Sequence, residues 1–274
     1  MRKLAIIFFV ITAICACGGN VEKKAQERLT AAQKEMGKGD YSAAKLQLDT
    51  IRLLYPKAFK EREQAIKLMQ QIDLKEQAHT LVYLDSVLLA VTKEVESQKG
   101  NFILEKSEQY QDEGNYLVPS QTVEQSIGRS FLRAQVSESG QLVLTSILCR
   151  NNINHNSVRV MCGDSFAETP VSKDIYISKD LSGITEKVDY QDGADGNVIA
   201  FIASNKDSKM TVQYKGTRTS TLELSQKDKD AVASIYHFAQ RLKARQEVLK
   251  AIKQAKLKVE FIHRKMQEDQ KKHG

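Results

Sequence analysis

The sequence predicts an α+β fold, and three observations carry that reading. Apolar residues recur at helical spacing from about residue 25 to residue 98, the period switches to two at about residue 130, and helical spacing returns from residue 226 to about residue 270. Helices at both ends with strands between them point to segregated α and β layers, not alternating ones. Hydrophobic residues make up 41% and charged residues 27% of the 274, as in ordinary globular proteins. Three prolines and no tryptophan argue against a proline-rich linker protein. The chain divides into a signal segment (1–17), a helical region (18–118), an antiparallel β domain (119–225) and a long basic amphipathic helix (226–274).

Residues 1–17 read MRKLAIIFFVITAICAC and are followed by the polar Gly18-Gly19-Asn20. A charged start, a short apolar middle and small residues at the end make a secretory signal. The apolar run is shorter than the about 20 residues a bilayer span needs. Ile14 stands three before Cys17, and Ala16 just before it. This resembles the lipobox of bacterial lipoprotein precursors, where an aliphatic and a small residue hold those two places. Cys15 does not fit, because the large Ile14 directly precedes it. The resemblance implies lipidation of Cys17, with a diacylglycerol thioether and an N-acyl chain. One acyl chain holds a protein only marginally, whereas several anchor it stably. The implied location is the bacterial cell envelope. There the lipid ties the chain to a membrane, the outer membrane first, with its body in the periplasm or at the cell surface.

After a short tether, a helix is expected from about Ala25, with Ala25, Leu29 and Ala32 on one face. Gly37-Lys38-Gly39 stops it, and Asp40 can cap a second helix that ends before Pro56. Ala44, Leu48, Ile51 and Tyr55 line one face of that helix, at spacings of 4, 3 and 4. Ala32, Gly39-Asp40-Tyr41, Ala44, Leu48, Ile51 and Pro56 resemble one tetratricopeptide repeat. Arg28 departs from that pattern, standing where a bulky apolar residue is usual. No second copy follows at the repeat period, since Asp73 takes the place of the next turn glycine. Such arrays need about three units to bury their faces, so the resemblance implies a single helical hairpin and not a peptide-binding solenoid. Residues 58–98 form one long helix, or two with a soft break. Its seam is Leu81, Leu84, Leu88, Val91 and Val95. Residues 101–119, broken by Gly114-Asn115 and Pro119, are expected to connect this region to the β domain with one helical turn.

The β domain is expected to hold six or seven antiparallel strands, as a sandwich or a curled sheet. Residues 131–136 and 142–148 flank a Ser-Glu-Ser-Gly loop and make a hairpin. Residues 158–162 and 175–177 follow as strands, then a hairpin of 198–203 and 210–214, and last 221–224. Ser225 caps the final helix. Its heptad grid holds Ala231, Ile235, Phe238, Leu242, Leu249, Ile252, Val259 and Met266. A small sheet alone cannot bury so long a stripe. The long helix 58–98, packed antiparallel as a stalk, is one partner; another copy of the protein is the alternative. Residues 226–274 carry 13 Lys/Arg and 6 Asp/Glu, an excess equal to the formal +7 of the whole chain. This basic face suits solvent or anionic lipid headgroups. An exported chain is not expected to take nucleic acid as a partner.

No catalytic signature is legible, and no cofactor is expected. The five histidines, His79, His155, His237, His263 and His273, lack metal spacing and are expected at the surface or in interfaces. Cys162-Gly163-Asp164-Ser165 only superficially resembles a nucleophile context. Cys149 and Cys162 fall in strand-like stretches, and oxidising surroundings permit a disulfide between them. Asp189, Asp192, Asp195 and Asn197 lie in a glycine-rich stretch that suits a solvated turn better than calcium. Asp49-Thr50-Ile51 and Asp85-Ser86-Val87 resemble sites at which some Bacteroidetes exported proteins are O-glycosylated, which makes Thr50 and Ser86 possible acceptors. The function expected is that of a lipid-anchored, non-enzymatic envelope protein acting through protein contacts, as an adaptor or assembly component. Its partners would be the membrane, through the anchor, and a protein or a second copy, through the long helices. The alternative is a small-ligand or glycan-binding lipoprotein using the β domain, with Tyr190 and Phe166 as loop aromatics.

Overall fold

The computed structural model describes residues 18–106, 112–180, 183–191 and 193–273. Residues 1–17, with the expected signal and Cys17, the loop acid Asp192 and Gly274 lie outside the described residues. The fold is α+β, with helices at the N-terminus, antiparallel sheets in the centre and a long helix at the C-terminus. The chain forms two compact units. Residues up to Ser86 join those from Ala251 in a helical unit, and Val87–Lys250 build a β unit. Among the described residues no helix is long and apolar enough to cross a membrane.

In the helical unit, α1 (Gly18–Gly37) and α2 (Tyr41–Leu54) form a hairpin, followed by α3 (Phe59–Lys99). The first helix starts at Gly18, with no extended tether up to Lys24. Asp40 caps α2 as expected, its Oδ1 accepting the Ala43 N–H at 2.9 Å. The core is made of the residues whose spacing announced it: Ala25, Leu29 and Ala32 from α1, then Ala44, Leu48 and Ile51 from α2. Ala65, Leu68 and Ile72 of α3 complete it. Small alanines at these positions let the helix backbones approach closely. Arg28, where an apolar residue would serve packing, instead donates to Gln47 Oε1 at 2.9 Å. Lys45 of α2 reaches Asp73 and Glu76 of α3, so Asp73 lies within helix and pins α2. The last helix, α5 (Gln226–His273), adds buried Ile252, Ala255 and Ile262 to this unit. There Gln70 donates to Asp269 at 2.8 Å.

The β unit holds two antiparallel sheets. Six strands run in the order β1 (Ile103–Glu105), β2 (Asn115–Leu117), β3 (Phe131–Ser137), β4 (Leu142–Cys149), β8 (Gly183–Tyr190), β7 (Ile175–Asp180). Four more run β10 (Thr219–Glu223), β9 (Thr211–Lys215), β5 (Ser157–Cys162), β6 (Ser165–Glu168). One core joins Leu132, Leu144 and Val188 of the first sheet to Val158, Val212 and Tyr214 of the second. The first half of α5 enters the same core through Val232, Ile235, Phe238 and Leu242, and α3 adds Val95. The upper half of the heptad stripe is thus buried against sheets, whereas Leu249 is 40% exposed.

Three expectations about elements need correction. Residues 101–119 contain strands β1 and β2, which the expected connector lacked, and among the described residues a 3-10 turn begins only at Pro119. Ile103 pairs with Leu117, and Tyr116 with Val136 of the expected hairpin. Residues 198–203 belong to a helix, α4 (Val198–Ser204). Their β-branched side chains suggested a strand, but Val198, Ile199, Ile202 and Ala203 bury one helical face, and the Asp195 carboxylate accepts the Ile199 N–H at 3.0 Å. β9 accordingly pairs with β10 and β5. Strands β6 and β8 were not foreseen. β6 follows a two-residue Gly163-Asp164 turn with Gly163 at φ 58, in the register Cys162↔Ser165.

Beyond the short β2, the edge of β3 is completed by a side chain. Fully buried Gln121 donates Nε2 to the Leu132 carbonyl at 3.0 Å, and its Oε1 faces the Ala134 N–H at 3.4 Å. Gln121→Ala is expected to cost about 1–3 kcal/mol, the usual cost of buried backbone groups left unpaired. Urea denaturation with an unchanged slope would measure it.

Candidate functional site

Ser146 on the inner face of β4, Glu186 on the inner face of β8 and His155 in the loop before β5 meet in the core. Ser146 Oγ lies 2.8 Å from His155 Nε2, and His155 Nδ1 lies 2.7 Å from Glu186 Oε2. Glu186 also accepts the backbone N–H groups of Ile153 (2.8 Å), Asn154 (2.7 Å) and His155 (2.9 Å). The Tyr214 ring meets the imidazole edge-on at 5.3 Å. Hydroxyl, imidazole and carboxylate stand in the order of a nucleophilic triad. All three are fully buried, so no substrate reaches the hydroxyl.

Burial sets the protonation here. It holds the His155 pKa below the usual histidine value against the pull of Glu186, so the ring is neutral, with Nδ1–H donating to Glu186 and Nε2 accepting from Ser146. Burial alone would raise the Glu186 pKa, but the N–H donors around it outweigh burial and hold it below the carboxylate range. Both shifts give the same sign. The unfolded chain takes a proton on His155 near pH 6.5 while the native chain refuses it, so stability falls as pH drops below about 6.5. Glu186 adds a second loss as pH falls below about 4.3, its unfolded value, and through its lower folded value. Urea midpoints between pH 7.5 and 5 should decline in the parent chain, and the decline should flatten in His155→Asn.

The outer face of the same sheet carries an open cavity of about 270 Å³. Its floor includes Phe131 and Arg133 of β3, Ile147 and Cys149 of β4, and Lys187 of β8. Register explains the grouping, since Phe131 pairs with Ile147, Ile147 with Lys187, and Lys187 with Tyr176. The segment 121–128, which holds a 3-10 turn at Glu124–Ser126, forms its other wall. Arg133 is 8% exposed, and its Nε has no hydrogen-bond partner. The buried Ser126 Oγ is likewise unpartnered. Lys187, by contrast, pairs with Asp189 at 3.1 Å.

The residues singled out from sequence are dispersed. Thr50 and Ser86 sit within helices α2 and α3, where their hydroxyls donate to the Leu46 and Tyr83 carbonyls at 2.7 and 2.6 Å. Cys149 and Cys162 do not form the possible disulfide: they are free thiols on different sheets, and the Cys149 thiol donates to the Arg129 carbonyl at 3.3 Å. Tyr190 is not a loop aromatic but ends β8 with its ring in the core, whereas Phe166 lies exposed on β6 beneath the Arg159 guanidinium. His155 is not a surface histidine. His79 packs edge-on against Tyr41. Asp189 lies on β8 and Asp195 caps α4, and among the described residues no three His, Cys, Asp or Glu group as a metal site would require. Sequence reasoning missed Ser146, Glu186 and Arg133. The alternation of β3 puts Arg133 on the face opposite the buried Leu132 and Ala134.

Comparison with family models, with characterised proteins and with solved structures finds no match to this chain.

Proposed function

We propose that this chain is a lipid-anchored, non-enzymatic protein of the bacterial envelope that acts through protein contacts, as an adaptor or assembly component. The observation that carries the reading is the apolar surface of the helical unit. Leu53, Leu54 and Phe59 stand exposed around the α2–α3 turn. Ile66 rims a groove of about 390 Å³ lined by Leu48, Ala65 and Met69, with Arg52 and Arg62 beside it. Large side chains left in water at one end of a helical hairpin are the usual mark of a contact surface. The sealing of Ser146, His155 and Glu186 supports a role by contact and not by turnover. Lipid on Cys17 would hold the chain at the outer membrane. The same unit exposes Lys253, Lys256, Lys258, Arg264 and Lys265, which suit anionic headgroups.

Two variants of the full chain test this. Cys17→Ser should move the protein from the membrane to the soluble fraction. Leu54→Ser with Ile66→Ser should leave it folded and on the membrane, yet remove the protein that chemical crosslinking attaches to the parent chain. A double variant that keeps its crosslinked neighbour would refute the contact surface.

A further inference from the structure

Beyond contact with a protein, the β unit carries a site built for a small molecule. We propose that the cavity on the outer face of the six-stranded sheet binds a monoanionic carboxylate on a compact apolar body, with Arg133 and Ser126 receiving the carboxylate. Arg133 is nine-tenths buried and makes no hydrogen bond or ion pair with any described residue. A guanidinium cannot shed its proton in a protein, and an uncompensated buried charge is costly. The charge is therefore retained for an anion that enters from outside. Ser126 Oγ, lining the same cavity, is the second donor without a partner. Two free donors match the two oxygens of a carboxylate.

The charge count limits the anion. The other cation of the lining, Lys187, is already neutralised by Asp189. A dianion such as a phosphate monoester would keep one charge uncompensated, while a carboxylate leaves none. The mouth selects the rest of the ligand. Val123, Ile127 and Tyr176 are exposed by 65%, 73% and 64%, and Phe131 and Ile147 continue the apolar wall inward. A volume of about 270 Å³ holds roughly nine water-sized groups at about 30 Å³ each. This fits a phenyl ring or a short acyl chain with its carboxylate.

Fluorine NMR of the full chain with 4-fluorophenylacetate, 4-fluorophenethylamine and 4-fluorophenethyl alcohol tests the proposal. The acid is expected to bind at least tenfold tighter than the amine or the alcohol. Arg133→Met should abolish that preference, with circular dichroism checking its fold. Ile127→Glu, a change at an exposed position that the fold tolerates, should weaken the acid at least tenfold by placing a like charge at the mouth. No binding of the acid, equal binding of the three probes, or undiminished binding of the acid by either variant overturns the proposal.

Discussion

Glu186→Ala is expected to destabilise the β unit by about 3–5 kcal/mol, because several buried N–H donors lose their acceptor at about 1–3 kcal/mol each. One carboxylate satisfies three successive backbone N–H groups and the His155 ring, and alanine leaves all of them unpaired. Glu186→Gln keeps one acceptor but turns an N–H₂ toward donors, so it should cost less than alanine and more than Ser146→Ala, at about 1 kcal/mol. Chemical denaturation of the three variants measures this ranking. Equal losses would contradict the assignment of Glu186 as the hub. The carboxylate does for residues 153–155 what a strand partner does elsewhere: it lets a turn rich in asparagine sit against a core.

Phe238→Ala is expected to be as damaging, at about 3–5 kcal/mol for a fully buried aromatic. Phe238 stacks on Phe102 at 4.5 Å and meets Tyr116 edge-on at 5.2 Å. It therefore joins α5 to the segments around β1 and β2 within one core. Leu249→Ala, eleven residues further along the same helix and 40% exposed, should cost well under 1 kcal/mol, since it opens no cavity. Thermal unfolding separates the two. A large loss at Leu249 would mean that the heptad grid continues as a buried seam.

The contrast along α5 also marks how far the sequence carried. Helical spacing located α1, α2, α3 and α5, because each presents one apolar stripe to a core. Alternation located β3, β4 and β5 for the matching reason. Residues 103–105 and 115–117 escaped because three-residue strands show no period, and Ile103 and Leu104 stay partly exposed. Residues 198–204 misled because tertiary burial of a helical face overrides strand preference. The grid on α5 anticipated buried positions, but Phe238 packs with sheet residues where the helix 58–98 or a second copy was expected, and Ile252 is buried within the helical unit. The polar chemistry was least legible. Ser146, His155 and Glu186 stand 9 and 31 residues apart and meet only where the turn at residues 153–155 packs against the paired β4 and β8. Arg133 looks like any outward strand residue until the segment 121–128, which has no period of its own, covers it.

The central claim is that the helical unit carries the contact surface of a membrane-tethered protein. Its most direct test is site-specific photo-crosslinking in living cells, with the crosslinking residue placed in turn at Leu54, Phe59, Ile66 and the polar neighbour Lys67 of the full chain. The account predicts one discrete adduct with the same protein from the three apolar positions, weak or absent from Lys67, and lost when Cys17→Ser frees the chain from the membrane. No adduct from any apolar position, or the same diffuse products from all four, would contradict it.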